Sequence, residues 1–313
     1  MKKWICISLL SLLLLTATSC GPNVFKGGAM TKKLILRKTT SIYMDGEGYN
    51  DTPVTATTLN YNEKGLVESF TEGLVNYEYD AQGNPVSIML VQFGEPPIAC
   101  QLENVYEKGT VKEVRITLPQ ELQERVSDPD SISASEMGLM QSLLSLLENG
   151  TAYGDAQINV LGTQVYLVRS GGETLRRCFL LPSGYQDMET HKNEDGSQWT
   201  RVTIQTADYR SVQTMTYDAM VRLVRMETED TAPLDLTYTE EKDAATGHTV
   251  YRAEAEGTSV RYEFDGGRML LQEISYDVSM TRQVTTYTAD GQIAMFEVYR
   301  DGNLFQRDTY EYR

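Results

Sequence analysis

The sequence has 313 residues and a formal net charge of −16 at pH 7. This length is sufficient for one large domain or two medium-sized domains. A chain this acidic is repelled by phosphate backbones, so the composition excludes the class of nucleic-acid-binding proteins.

The first residues predict a secretory signal peptide at 1–19. Lys2 and Lys3 form a positive start, Ile5–Leu15 is an apolar run, and four small residues follow directly before Cys20. The apolar run is shorter than the roughly 20 residues that a membrane-spanning helix requires. A cleaved signal is therefore favoured over a transmembrane anchor.

Ala17 to Cys20 (Ala-Thr-Ser-Cys) resembles a bacterial lipobox, in which the cysteine becomes the lipidated first residue of the mature protein. The usual pattern prefers Leu where Ala17 stands, and the alternative is an ordinary secretory signal that leaves Cys20 unmodified. We predict lipidation at Cys20, followed by a flexible tether at 20–32. Cleavage removes Lys2 and Lys3 and no acidic residue, which takes the formal net charge from −16 to −18.

Residues 33–118 have the alternation of an antiparallel β-meander. In Val75–Tyr79 the apolar and aromatic side chains occupy every second position, and Asp80–Asn84 supplies a turn. Alternate side chains of a strand point to opposite faces, so one face of this sheet is apolar and the other is polar. The predicted strands are 33–43, 54–61, 66–71, 74–80, 85–93, 98–106 and 111–118.

A helical insertion is predicted at 119–151. Gln120 to Val126 is consistent with a short helix, and Ser133–Glu136 fits a capping box that starts a longer one. This second helix either packs on the sheet and closes the core, or forms an apolar lid over a groove. Its apolar positions at helical spacing are Met137, Met140, Leu143, Leu144 and Leu147.

A second β-meander, continuous with the first sheet, is predicted at 152–313. Glycine-containing turns at Ser170–Gly172 and Asn193–Gly196 indicate hairpins. The predicted strands are 158–169, 173–181, 185–191, 199–206, 212–217, 221–228, 234–239 and 249–255, followed by the terminal repeats. The fold class is mainly β, a long antiparallel meander that forms a curved or sandwich-like sheet with one α-helical insertion.

A short unit recurs along both meanders. Tyr79-Asp80 with Gly83-Asn84 is its clearest copy, and Phe264-Asp265 with Gly267 is a weaker one. The pattern resembles the YD repeat, a tyrosine-aspartate β-hairpin unit of large bacterial shell-forming proteins and of some lipoproteins. An antiparallel sheet with Asx-Gly turns would show the same pattern without common ancestry, and both readings imply the same architecture.

Cys100 and Cys178 remain beside Cys20 after processing. In an oxidising periplasm the two can form a disulfide. The alternative is a pair of separate buried thiols, because both residues lie in apolar strands and a free cysteine packs as a small hydrophobic residue.

His191 is a candidate for a metal site, and Trp199 is a candidate for a sugar-binding site. His191 lies near Asp187 and Glu189, but on a strand these three alternate with other residues and form a polar solvent face rather than a metal site. Trp199 is a candidate for stacking on a sugar, with core packing as the alternative. The sequence predicts no catalytic residue, metal or cofactor, and therefore no enzyme.

The expected function is that of a non-enzymatic binding or scaffold module, lipid-anchored in the cell envelope. The expected location is the outer membrane, facing the periplasm or the cell surface. Its expected partners are the membrane, through the lipid anchor at Cys20, and an envelope protein, glycan or lipid. The alternative is a carrier of an apolar ligand such as a lipid or lipoprotein, with a curved sheet covered by the 133–149 helix.

Overall fold

The computed structural model describes residues 34–44, 48–63, 67–70, 75–90, 98–120, 123–124, 156–163, 165–180, 184–229, 231–276 and 279–313. Strands make up 70% of these residues and helix 1%, which confirms the mainly β class. In the part of the chain described, no helix has the length and apolar character to cross a membrane.

The described residues form 22 strands. In the first half they are β1 (Ile35–Ile42), β2 (Thr55–Tyr61), β3 (Val67–Phe70), β4 (Val75–Tyr79), β5 (Pro85–Leu90), β6 (Ile98–Glu107), β7 (Thr110–Thr117), β8 (Gln157–Val160), β9 (Tyr166–Ser170), β10 (Glu173–Leu180) and β11 (Gly184–Lys192). In the second half they are β12 (Gln198–Thr206), β13 (Arg210–Tyr217), β14 (Leu223–Thr228), β15 (Thr231–Asp235), β16 (Thr239–Lys242), β17 (Thr249–Ala255), β18 (Thr258–Asp265), β19 (Arg268–Tyr276), β20 (Ser279–Tyr287), β21 (Ile293–Arg300) and β22 (Asn303–Tyr312).

The chain divides into two compact units, which we call the central unit (66–235) and the terminal unit (1–65 with 236–313). In the central unit β3 to β7 and β8 to β15 pair with their sequence neighbours as antiparallel strands. The join between these two runs is a parallel pair, β7 with β8, in which Val114 lies opposite Ile158. Parallel neighbours require a crossover of a dozen or more residues, and the chain between Thr117 and Gln157 supplies it.

The terminal unit is assembled from both ends of the chain. Strands β16 to β22 form an antiparallel meander, and β1 then pairs with β22, so that Thr39 lies opposite Thr309. β2 pairs with the other side of β1. The first strand of the chain is therefore held in place by the last.

Alternation on β18 builds the core of the terminal unit. Val260, Tyr262 and Phe264 are fully buried, and between them Arg261 and Glu263 remain partly accessible. The Tyr262 and Phe264 ring centroids lie 6.4 Å apart, and Tyr251 meets Phe264 edge-on at 5.8 Å. The predicted role of the alternate aromatic residues, which is to hide one side of the sheet, is thus confirmed here.

The core of the central unit follows the same rule. On β7 the inward positions are Val111, Val114 and Ile116, and each is buried while the residues between them face solvent or are half-buried. Tyr77 on β4 is also buried, and its neighbour Tyr79 is half-buried. Other buried apolar side chains of this unit are Ile88, Leu102, Ile158, Val160, Leu167, Val202, Met215 and Leu223.

Two predicted strands were wrong in extent. Ile158–Arg169 is not one strand, because residues 161–163 turn the chain between β8 and β9, and the Thr163 hydroxyl bonds to the carbonyl of Val160 at 2.7 Å. Leu234–Thr239 is divided between β15 and β16.

The predicted short helix at 120–126 is described only at residues 120, 123 and 124, which are helical. The longer helix of the predicted insertion lies outside the described residues, and the predicted domain ranges stay predictions.

A four-residue turn explains why Asp follows Tyr in the recurring unit. The Asp80 N–H donates to the carbonyl of Asn84 at 2.9 Å, and the Asp80 carbonyl accepts from Gly83 at 3.0 Å. The Asp80 carboxylate also accepts from the backbone N–H groups of Gln82 and Asn84 at 2.9 Å each. A side-chain oxygen at this position therefore closes the turn. The same pair of backbone bonds closes the turns that begin at Asn193, Asp218 and Thr288.

One of these turns carries an unfavourable residue. Gly83, Gly196 and Gly291 each lie three positions after the first residue of their turn, with φ between 82° and 88°. Val221 occupies the same position of its turn with φ 62°. A β-branched side chain is strongly disfavoured in this left-handed region.

We therefore expect Val221→Gly to raise the free energy of unfolding by about 1 kcal/mol. Relief of roughly 1–3 kcal/mol of backbone strain outweighs the smaller entropic cost of glycine in the unfolded chain. Denaturant titration measures the change, and Gly291→Ala, which introduces a side chain at the equivalent position, should lower stability. A loss of stability on Val221→Gly would show that the turn is unstrained.

Candidate functional site

Strands β9 to β12 of the central unit carry a run of large polar and aromatic side chains on the face opposite the core. The register places Tyr166 opposite Arg177, Arg177 opposite Asp187, and His191 opposite Trp199. On the other face of the same strands Leu167 and Val202 are buried. We call the outer set the aromatic strip; it consists of Tyr166, Arg177, Tyr185, Asp187, His191, Trp199 and Arg201.

Arg177 lies at the centre of one half of this strip. Its Nε and Nη2 donate to the two carboxylate oxygens of Asp187 at 2.6 and 2.5 Å, a bidentate pairing. Its Cζ lies 4.1 Å from the centroid of the Tyr185 ring and 5.5 Å from that of Tyr166. Hydrogen bonding to Asp187 raises the pKa of the Arg177 guanidinium, against the opposing effect of burial. The cation is thus held in one orientation by a planar ion pair and two rings.

Trp199 lies at the centre of the other half. Its ring lies 5.7 Å from the His191 ring at an angle of 18°, and Arg201 Cζ lies 5.2 Å from its centroid. Arg201 also donates from Nε to the Thr214 hydroxyl at 3.3 Å. The Trp199 ring therefore already has two side-chain partners, His191 and Arg201. Stacking on a sugar therefore receives no support from this geometry.

The acidic residues near His191 pair with three different side chains. His191 Nδ1 lies 3.0 Å from Glu173 Oε1, Glu189 lies 3.5 Å from Arg201, and Asp187 pairs with Arg177. Among the described residues, no group of three His, Cys, Asp or Glu side chains is placed to hold a metal ion.

The terminal unit has a similar cluster on β21, β22 and the end of β1. Glu297 accepts from Arg307 Nε at 2.8 Å and Nη2 at 2.7 Å, and also from the Tyr299 hydroxyl at 3.1 Å. Arg307 Nη1 donates to the Tyr43 hydroxyl at 3.3 Å. Hydrogen bonding to Glu297 raises the pKa of Arg307. Further cations that lie over rings in this unit are Lys38 on Tyr310, Arg268 on Tyr287, Arg282 on Tyr299 and Arg300 on Phe305.

These clusters have a common chemical character. Each arginine is fixed by a carboxylate, a ring or both, so the surface is rigid and its positive charge is locally compensated. Tyr, Trp and Arg are the residue types that dominate binding energy at protein interfaces. A surface of this kind has the composition of a protein-binding surface.

The sequence points to Trp199 and His191 as candidate site residues, but it does not show that Tyr166, Arg177 and Tyr185 belong to the same surface. Period-two alternation predicts which face of its own strand each of them occupies. It does not show that Arg177 lies between Tyr166 on β9 and Asp187 on β11, because that depends on the register of three strands.

The predicted lipidation site Cys20 and the predicted lid residues Met137, Met140, Leu143, Leu144 and Leu147 lie outside the described residues. Cys100 is fully buried. The side chain of Cys178 is outside the description, so the pairing of the two cysteines stays a prediction.

Burial raises the pKa of the Cys100 thiol to about 11. Because the thiolate is the reactive form, we expect Cys100 to resist iodoacetamide at neutral pH in the folded protein and to react once the protein is unfolded. Mass spectrometry of the Cys100 peptide measures the modification, and omission of reductant shows in the same experiment whether Cys178 is attached. Rapid labelling of the folded protein would contradict the burial of this thiol.

Comparison with models of known protein families finds no match to this chain. Comparison with curated proteins likewise finds no relative.

Proposed function

We propose that this protein is a lipid-anchored binding module of the cell envelope that recognises a protein partner through the aromatic strip. The observation that carries the proposal is the strip itself, where Tyr185, Trp199 and two arginines lie on one face of the sheet. The module acts without enzymatic activity, and the lipid on Cys20 holds it near the membrane.

Three properties of the strip favour a protein partner. Its arginines are held in fixed orientations by rings and carboxylates, so little side-chain entropy is lost on binding. Asp187 and Glu189 offset the positive charge of Arg177 and Arg201, which disfavours a polyanion. Tyr, Trp and Arg are the residue types that carry most of the binding energy at protein interfaces.

The binding proposal is tested by photo-crosslinking in intact cells. A photoreactive amino acid at Thr203, which lies opposite Asp187 on the same face, should give one adduct of discrete mass. Trp199→Ala should reduce its yield about tenfold, as expected for removal of a central aromatic anchor. Tyr276→Ala, an exposed aromatic in the terminal unit, should leave the yield unchanged. No discrete adduct, or one that does not depend on Trp199, would refute this role for the strip.

The anchor is tested separately by metabolic labelling with a fatty-acid analogue. The protein should incorporate label and sediment with membranes, whereas Cys20→Ser should do neither. Label that persists in Cys20→Ser would place the modification elsewhere.

The alternative function, a carrier of an apolar ligand, depends on the segment 133–149, which lies outside the described residues. A dye that fluoresces in apolar cavities and is displaced by lipid would support it. If lipid displaces no bound dye, the carrier function is refuted and the binding module remains the proposed function.

A further inference from the structure

We infer that the protein partner of the aromatic strip has a basic surface, in which cationic side chains flank an apolar centre. The inference rests on the proposed binding role of the strip and adds the chemistry of its partner. It follows from a row of side chains that crosses strands β10 to β15 on the outer face of the central unit.

The strand registers define this row, which we call the Trp199 row. Its members, each opposite the next, are Glu173, His191, Trp199, Thr216, Arg225 and Asp235. Residues directly opposite each other on paired strands share one face of the sheet, so the whole row lies on the face of the aromatic strip. Five strand spacings of about 4.8 Å separate its ends, which therefore lie roughly 24 Å apart along the sheet.

The β10 end of the Trp199 row has more carboxylates than cations. Glu173 is 67% accessible, and among the described residues it contacts His191 but forms no ion pair with a lysine or arginine. Glu189, two positions before His191 on β11, lies 3.5 Å from Arg201. Two carboxylates therefore share a single arginine at this end. The exposed turn that follows β11 adds Glu194 and Asp195 against Lys192.

The β15 end has the same excess of carboxylates. Arg225 donates from Nε and Nη2 to Glu227 at 2.9 and 2.7 Å, and from Nη1 to Asp235 at 3.1 Å. One arginine thus serves two carboxylates. Asp235 is 65% accessible and retains acceptor sites, because an ionised carboxylate can accept about four hydrogen bonds.

The charges of the whole outer face lead to the same two residues. Over β9 to β15 and the residue that follows β14, the described part of this face has four arginines and six carboxylates. The arginine pairs are Arg177 with Asp187, Arg201 with Glu189, Arg210 with Glu229, and Arg225 with Glu227. The two remaining carboxylates are Glu173 and Asp235, the ends of the Trp199 row.

The centre of the row supplies the contact that these charges surround. Trp199 and Thr216 lie between the two ends, and an aromatic residue within a polar rim is the usual arrangement of a protein-binding hot spot. A partner that packs an apolar side chain on Trp199 brings its own rim over Glu173 and Asp235.

Electrostatic complementarity selects the sign of that rim. An incoming carboxylate would meet arginines that already have partners, whereas an incoming lysine or arginine meets carboxylates with spare lone pairs. Like charges brought together across an interface are strongly unfavourable. The net charge of −16 on the chain also attracts a basic partner over longer distances. The Trp199 row is therefore complementary to a basic protein surface.

The test uses the full chain in intact cells, with the photoreactive amino acid at Thr203. The double variant Glu173→Gln with Asp235→Asn removes both remaining charges and keeps the shape of the side chains. We expect the adduct yield to fall about tenfold, since two ionic contacts with the partner are lost. Glu173→Gln alone, which breaks no arginine pair, should lower the yield about threefold. Replacement of both residues by lysine should abolish the adduct.

The matched control removes two exposed carboxylates from the terminal unit. Glu240→Gln with Glu254→Gln makes the same change in net charge and should leave the yield unchanged. An equal fall in this control would refute the assignment to the Trp199 row. The urea midpoint of each purified variant should match that of the parent protein, which shows that a lower yield reflects binding rather than unfolding.

The parent protein and the double variant separate the two ways in which the inference can fail. No discrete adduct in the parent refutes the binding role of the strip, and the inference falls with it. An adduct that depends on Trp199 but is unchanged or stronger in Glu173→Gln with Asp235→Asn refutes the basic partner and leaves the binding role standing.

Discussion

Phe264→Ala is expected to lower the free energy of unfolding by about 3–5 kcal/mol. The ring is 1% accessible and contacts Tyr262 and Tyr251, so its removal leaves a cavity between side chains fixed on two adjacent strands. The loss combines the transfer free energy of the ring with the contacts that its neighbours no longer make. Urea titration followed by circular dichroism measures the change.

Tyr276→Ala is the matched control for this prediction. Tyr276 lies in the same unit, at the end of β19, and is 36% accessible. Its truncation should cost less than about 1 kcal/mol, because an exposed side chain already contacts water in the folded state. Equal losses for the two variants would mean that alternate aromatic residues do not form the core of the terminal unit.

Arg307→Met is expected to lower the free energy of unfolding by about 3 kcal/mol. Glu297 has a side chain that is only 9% accessible and accepts two hydrogen bonds from Arg307, so the substitution leaves a largely desolvated carboxylate with the Tyr299 hydroxyl alone. Glu297 is the buried member of this pair, and removal of its cation is destabilising because its carboxylate loses its charged hydrogen bonds. Thermal and denaturant unfolding both report the loss.

The double variant Glu297→Leu with Arg307→Met separates the cost of a stranded charge from the loss of packing. We expect it to recover most of the stability lost in Arg307→Met, because an apolar pair of similar size leaves no carboxylate to solvate. A double variant as unstable as Arg307→Met would show that the packing of Arg307 on Tyr43, at 5.6 Å, is what matters.

The sequence was sufficient to predict the class of fold and most strands because their signals are local. Tyr262 and Phe264 stand at alternate positions, and Gly171 and Gly172 adopt the left-handed conformations, with φ of 56° and 88°, that their hairpin requires. The strand bounds of β2, β4 and β17 agree with those predicted to within a residue. These features depend on a few adjacent residues.

What the sequence did not predict depends on the pairing of distant residues. The range Ile158–Arg169 was predicted as one strand because its apolar pattern runs through Leu161. In the structure, backbone and hydroxyl bonds from Thr163 to the Val160 carbonyl close a turn there. The parallel pairing of β7 with β8 joins strands that are far apart in sequence, and the alternation within each strand does not show which strand lies beside it. The position of Arg177 between two rings likewise requires the registers of three strands.

The pairing of β1 with β22 bears on how the polypeptide acquires its structure as it emerges from a ribosome or a translocon. The central unit is continuous in sequence, so it can assemble while later residues are still being synthesised. Tyr43 and Arg307 stand 264 positions apart, and contacts of such separation form slowly. Until β22 appears, β1 has one edge exposed and is a site for mispairing with other chains. A nascent chain stalled before Asn303 should therefore be a substrate for periplasmic or ribosome-associated chaperones, whereas the completed chain should not.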